Sequence, residues 1–243
     1  MNLIFLILGV IGGFSFYHWV WIRLIKWLDK KRFFRFFRIK GDEDRILIIV
    51  PTQKMPNATP NIITTHEDAM AQVELQCEFI KYGVKHDVSL DKDVPDEALR
   101  GCHIILICGP AGNDVTKRLY EKSGQVIPVK FKRVDEKWVI IKDDGRIYDG
   151  NQLGENSDYG ILTRINNPWS SSPNLKWIIL GAGIEGLGTW GAIHIISQNT
   201  RYLWKKLCSE DVDKNNPRFW TIIEAKRNGT KSPDTSILEY KAI

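Results

Sequence analysis

Gly181-Ala182-Gly183-Ile184-Glu185-Gly186 spells G-x-G-x-x-G between an apolar run, residues 177–180, and a helix-forming stretch from residue 190. In that setting the glycines let backbone N–H groups approach a phosphate, and the helix amino terminus supplies about half a positive charge. Gly188, Thr189 and Gly191 extend the small-residue surface. The dinucleotide-binding pattern also needs an acidic residue about 20 positions on, after a further strand. Here Glu210 and Asp211 fall in a loop, and the motif comes late in the chain. The expectation is a phosphate or nucleotide contact from Gly181, Gly183, Glu185, Gly186, Gly188 and Thr189, without an NAD fingerprint. The competing expectation is tight helix–sheet packing that needs no ligand.

A second turn, Gly109-Pro110-Ala111-Gly112-Asn113-Asp114, follows the apolar run at 103–108 and opens a short helix over 115–121. Ligands of open α/β sheets gather at such strand ends. Asn113 and Asp114 suit a ribose or base, although Asp114 also suits a plain helix cap. A third contributor is Thr64-Thr65-His66-Glu67-Asp68, after the first strand. If the three loops converge they make one crevice. Asp158, Tyr159 and Arg164 are weaker candidates for stacking or phosphate contact, each with a structural alternative. No catalytic set stands out: G-x-S-x-G, H-E-x-x-H and the Walker A pattern are all missing. The histidines are scattered, and the four cysteines show no C-x-x-C spacing, so neither a metal site nor a disulfide is expected.

The elements that must position these loops alternate. Residues 45–50 form a short β-branched run typical of a buried parallel strand. A helix over 66–82 follows, capped by Thr65 or Thr64 and ended by Gly83. Strands are predicted over 84–90, 103–108, 159–165, 177–180, 219–225 and 236–240, with a long helix from 190 to about 207. Alternation from 126 to 148, as in Val129, Phe131, Trp138 and Ile140, with a turn at Asp143-Asp144-Gly145, predicts a hairpin forming an extension or flap. The pattern is α/β, a Rossmann-like layered domain with a β-hairpin extension.

The amino-terminal end has a different character. Residues 3–22 carry no charged side chain, and about 20 residues at about 1.5 Å each reach the thickness of a bilayer core. Arg23, Lys26, Lys30, Lys31, Arg32, Arg35, Arg38 and Lys40 follow, opposed only by Asp29. This reads as a single transmembrane helix, with tryptophans at its inner end and the positive flank in the cytoplasm. The expected organisation is an anchor at 1–28, a basic amphipathic juxtamembrane segment and linker at 29–44, and a cytosolic body at 45–243. The protein would sit in the inner (plasma) membrane, single-pass, N-terminus outside. Gly9 and Gly13, spaced G-x-x-x-G, would let helices pack closely in lipid.

Of the 34 basic and 29 acidic residues, eight and one lie within the first 40, leaving 26 against 28 in the remainder. A body close to neutrality excludes strong non-specific binding to long nucleic acid, which needs many Lys/Arg–phosphate contacts.

With an apolar amino-terminal segment followed by glycine turns at 109–113 and 181–186, the layout resembles the membrane-anchored sensors of prokaryotic anti-phage defence. There a spanning segment is joined to a Rossmann-like sensor of the CARF or SLOG type. The resemblance implies a non-enzymatic, homo-oligomeric effector that contacts membrane lipids and binds a small nucleotide second messenger. Binding would open a pore or disturb the bilayer, with no cofactor required. The alternative is an anchored enzyme acting on NAD or a nucleoside phosphate, with Glu67, Asp68, Asp114 or Glu185 as acid or base. A scaffold that recruits a partner is a third.

Overall fold

A computed structural model of the chain describes residues 3–39, 44–54, 62–123, 127–154, 156–172, 176–198, 200–208, 217–229 and 231–243. The chain divides into two compact units, Met1–Ile39 and Lys40–Ile243.

The first unit is one helix, α1 (Leu3–Phe37), closed by Arg38 in the left-handed region at φ 49°. Here the structure corrects the sequence reading. No helix among the described residues is long and apolar enough to cross a membrane. The basic run does not follow the helix but lies on it: Arg23, Lys26, Asp29, Lys30, Lys31, Arg32 and Arg35 all belong to α1. The transmembrane helix is therefore not supported, and neither is the single-pass inner-membrane location with its N-terminus outside. Gly9 and Gly13 fall within α1, but the side-chain surroundings of residues 1–16 lie outside the described part.

The second unit is built on a seven-stranded sheet. Its elements in chain order begin with β1 (Ile46–Val50), a small antiparallel pair β2 (Gln53–Lys54) and β3 (Ile62–Ile63), and α2 (His66–Tyr82). Next come β4 (His86–Leu90), the single turn α3 (Asp96–Leu99), β5 (His103–Ile107) and α4 (Asp114–Ser123). The flap is a separate sheet of β6 (Val129–Val134), β7 (Lys137–Lys142) and β8 (Ile147–Tyr148). The chain then returns to the main sheet through β9 (Ser157–Asn166), β10 (Trp177–Gly183), α5 (Gly186–Gln198), α6 (Thr200–Cys208), β11 (Phe219–Asn228) and β12 (Lys231–Ala242).

The main sheet runs β12-β11-β9-β10-β5-β1-β4. β10, β5, β1 and β4 are mutually parallel, and β9, β11 and β12 add antiparallel strands at one side. From β1 the chain moves outward to β4, then back past β1 to β5 and β10. The order reverses between β1 and β5, where open α/β sheets bind ligands at the carboxyl ends of the strands.

Local chemistry explains the elements nearest that edge. α2 begins where Thr65 Oγ1 accepts the amide of Asp68 at 3.2 Å and ends at Gly83, whose φ of 72° favours glycine. β5 is fully buried, as a parallel strand covered on both faces must be. One face of the sheet carries Ile104, Leu106, Ile178, Leu180, Ile161 and Ile222, packed with Val115 and Leu119 of α4 and Val129 and Ile140 of the flap. The opposite face carries α5, with Gly181 beneath Ile193: a Cβ there would come 2.5 Å from its Cδ1.

Two further expectations change. The tight turn of the flap joins β6 to β7 at Asp135-Glu136, both at positive φ (45° and 66°), as a two-residue hairpin requires. The Asp143–Gly145 turn joins β7 to β8 instead. The long carboxyl-side helix starts at Gly186 and is two helices, α5 and α6.

Candidate functional site

The three loops named from the sequence do converge. At the carboxyl ends of β5 and β10 and the start of α2, a cavity of about 140 Å³ is lined by Thr65 and Asp68, by Cys108 through Gly112, and by Gly183 through Gly186. Phe131 and Trp138 of the flap close it. The flap register pairs Phe131 with Ile140 and Arg133 with Trp138, so Phe131 and Trp138 lie diagonally on one face. The Phe131 ring lies over Gly109, whose added Cβ would come 3.6 Å from Cε2. A neighbouring cleft of about 570 Å³ shares Trp138, Ile184 and Glu185 and continues toward Lys137, Asp149 and Asp158.

Each helix amino terminus at this edge already has a partner from the protein. On α5, Asp158 Oδ2 accepts the amides of Gly188 at 2.6 Å and Glu185 at 2.9 Å, and Thr189 Oγ1 accepts that of Gly183 at 2.9 Å. On α4, Asn113 Oδ1 accepts the amides of Val115 and Thr116 at 3.0 Å, and Asp91 Oδ2 accepts that of Asp114 at 2.8 Å. On α2, Thr65 is the cap. A carboxylate thus meets the electrostatic demand that draws an anion to a helix start on α5 and α4, and a hydroxyl caps α2.

Asp158 is 3 % exposed. Burial pushes its carboxyl up to about 7, against the opposing hydrogen bonds from Gly188 and Glu185, and the Glu185 charge adds to the rise. Asp68 is 1 % exposed. Burial likewise pushes it up to about 6; the Thr65 hydroxyl opposes this and the Glu67 charge assists it. Its two oxygens differ. Oδ2 accepts the Thr65 hydroxyl at 2.8 Å, whereas Oδ1 has no hydrogen-bond partner among the described residues. Thr189 is close enough to favour the Asp68 charge, but its hydroxyl points to the Glu185 carbonyl at 3.4 Å.

Cys108 ends β5 in the left-handed region at φ 81°. Its carbonyl accepts the Thr116 hydroxyl at 3.1 Å, and burial pushes its thiol up to about 12, which keeps it un-ionised and a poor nucleophile.

Of the residues expected to bind, Thr65, Gly109, Pro110, Ala111, Gly112, Gly183, Glu185 and Gly186 line the cavity. The others serve the fold. Thr64 Oγ1 donates to the Pro51 carbonyl at 3.1 Å, tying the loop before α2 to the end of β1. Asn113 is buried, and its amide also donates to the Ile107 carbonyl at 2.9 Å. Asp114 faces a separate open groove beside Lys117 and Arg118. Gly181 and Gly188 allow close packing of α5: a Cβ on Gly188 would come 2.3 Å from the Tyr159 carbonyl oxygen. Thr189 is buried as the partner of Gly183.

Sequence reasoning missed Cys108, Phe131, Trp138 and Ile184 as lining residues. It placed Asp68 in the third loop, but named it singly only as an acid or base. The alternation of Phe131 and Trp138 was visible, but nothing local told which way the flap folds. Glu67 pairs with Arg227 at 2.8 Å and does not line the cavity. A hollow of about 430 Å³ lies elsewhere, beside Arg45, Asp87 and Cys102. Among the described residues no group of His, Cys, Asp or Glu is arranged to hold a metal ion.

No protein-family model matches the chain, and no curated protein sequence matches it.

Proposed function

We propose that the second unit is a ligand-sensing body that takes a nucleotide in the crevice between β5, β10 and the start of α2. The base sits beneath Phe131 and Trp138, and the sugar and phosphate lead out into the adjoining cleft. The observation that carries this reading is the convergence of Thr65, Gly109–Gly112 and Gly183–Gly186 under an aromatic flap, beside the point where the strand order reverses. Base–aromatic stacking contributes about 1–3 kcal/mol, enough for two flap rings to matter.

The protein atoms that fill the helix termini turn recognition away from the phosphate and toward the base. The adjoining cleft is acid-rich, with Asp149, Asp158 and Glu185 against Lys137, which suits one exposed phosphate better than a polyphosphate chain. A nucleotide signal of the kind bound by CARF- and SLOG-type sensors fits this description. Calorimetric titration of the full chain with nucleoside monophosphates and cyclic dinucleotides tests it. Saturable binding that is lost in Trp138→Ala supports the reading, and absence of binding to every member of the set overturns it.

A second reading has one observation in its favour. Asp68, held at about 6, can accept and return a proton near neutrality. Turnover of a nucleoside phosphate by the full chain, lost in Asp68→Asn, would favour an enzyme over a sensor.

A further inference from the structure

One acceptor on the cavity wall, Asp68 Oδ1, makes no hydrogen bond among the described residues, with the Thr189 hydroxyl nearby but turned to the Glu185 carbonyl. Asp68 is buried, its Oδ2 is engaged by Thr65, and its Oδ1 is unpartnered among the described residues while the side chain lines the cavity wall. Buried polar atoms are nearly always hydrogen-bonded, and an orphan acceptor in a recess marks a place for a donor from outside the protein. None of the other wall groups is hydrogen-bonded to Oδ1 among the described residues. Gly109–Gly112 and Gly183–Gly186 offer mainly backbone, Glu185 offers a like charge, Phe131 and Ile184 offer apolar surface, and the Cys108 thiol and the Trp138 indole N–H are the remaining side-chain donors. The amides of Gly183, Glu185 and Gly188 are spent on Thr189 and Asp158.

The recess is also small. At about 140 Å³ it is well below the roughly 300–1,000 Å³ of sites that enclose a whole drug-sized ligand. It suits one flat ring system, with the rest of the ligand in the open cleft past Trp138. A carboxylate oxygen beside aromatic faces selects a planar heterocycle whose edge carries an N–H.

We infer that Asp68 Oδ1 recognises an exocyclic amino group of a nucleobase bound in this recess, so the site discriminates among bases by their donor edge. This rests on the nucleotide reading above and adds the identity of the reading residue. Asp68 is here a specificity-determining residue and needs no catalytic role. A site whose buried acceptor expects a donor rejects the analogue that lacks one far more strongly than a greasy slot rejects a missing methylene.

The experiment uses the full chain and two ligand pairs that each differ by one amino group: adenosine with purine riboside 5′-monophosphate, and guanosine with inosine 5′-monophosphate. Affinities are measured by titration calorimetry. In at least one pair the amino-bearing ligand is expected to bind tighter by about tenfold or more, as for a hydrogen bond to a charged group. In Asp68→Asn that preference is expected to fall to within about threefold, with the Trp138-dependent part of the binding retained. Binding of all four ligands with less than tenfold preference in both pairs overturns the inference and leaves the nucleotide reading standing. Binding of none overturns both. A preference that persists unchanged in folded Asp68→Asn assigns it to another residue and overturns the inference. The ligand pairs alone decide the matter on the unsubstituted protein if that variant does not fold.

Discussion

Asp158 Oδ2 lies 2.6 Å from the amide nitrogen of Gly188, so a carboxylate on β9 occupies the amino terminus of α5. A nucleotide phosphate takes that position where the same glycine spacing opens a dinucleotide-binding unit. Here the incoming group would meet a charge of its own sign. The glycine motif therefore seats α5 against β9, and the proposed recognition of a ligand rests on Asp68 and the flap instead.

Removing the phosphate should then cost little. Adenosine and adenosine 5′-monophosphate are expected to bind the full chain within about fivefold of each other, the worth of a single helix terminus. Calorimetry checks this. A loss of a hundredfold or more without the phosphate would show that some other cation or amide anchors it.

Burial of Asp158 has a consequence for stability that pH reveals. Its carboxyl is raised from 3.8 to about 7 in the folded chain. Between those values the folded state holds a proton that the unfolded state has released, so this group's contribution to stability falls as pH rises through that window. Asp158→Asn cannot titrate. Relative to the parent, the variant is expected to gain on the order of 3 kcal/mol as pH rises from about 4 to about 7. Denaturant midpoints at several pH values measure the difference. Asp68→Asn should show a smaller effect of the same sign, ending near pH 6. Buried His103, lowered to about 4, acts in the opposite direction but is common to parent and variants.

Gly188→Ala inverts the usual helix rule. Alanine in place of a helical glycine ordinarily stabilises by about 0.5–1 kcal/mol. At Gly188 the new methyl would meet the Tyr159 carbonyl at 2.3 Å and Asp158 Oδ2 at 2.6 Å. The helix must lift from β9, and a loss of about 1–3 kcal/mol or more is expected in chemical unfolding. Gly150→Ala, where the nearest atom would be 3.9 Å away, is the control and should be nearly neutral.

The flap is clasped to the edge strand β12 by Glu239, which accepts the Tyr148 hydroxyl at 2.8 Å and pairs with Arg146 at 3.4 Å and with Lys142. The side chain is partly exposed, so global stability should change by less than about 1 kcal/mol in Glu239→Gln. Amide exchange in β6 and β7 is expected to quicken severalfold while that of β1 and β5 stays unchanged, because only the local opening of the flap is affected.

The sequence was most informative where a single local cause decides the outcome. Thr65 and Gly83 bound α2 at the residues expected of them, because a capping hydroxyl and a left-handed glycine act within one turn. The β-branched run became β1, as its short length and its stiff branched side chains favour. The convergence of the three loops, two of them glycine-bearing, was legible for the same reason: alternating β and α elements bring strand ends to one edge. What failed depended on partners distant in sequence. Asp158 caps α5 across 30 positions, and Phe131 and Trp138 roof a cavity whose floor comes from α2 and β10. At the amino-terminal end the charge pattern left open whether the basic run lay apart on a surface or continued the apolar run as one rod. Helix α1 carries both, and no described helix meets the requirement for spanning a bilayer.

Nuclear magnetic resonance of the ¹⁵N-labelled full chain, titrated with adenosine and guanosine 5′-monophosphates, reads binding at the recess residue by residue. Saturable shifts are expected, concentrated at the amides of Cys108, Gly109, Ala111, Gly112 and residues 183–186 and at the Trp138 indole N–H. An unperturbed spectrum would contradict the proposed site, and so would shifts confined to the hollow beside Arg45, Asp87 and Cys102.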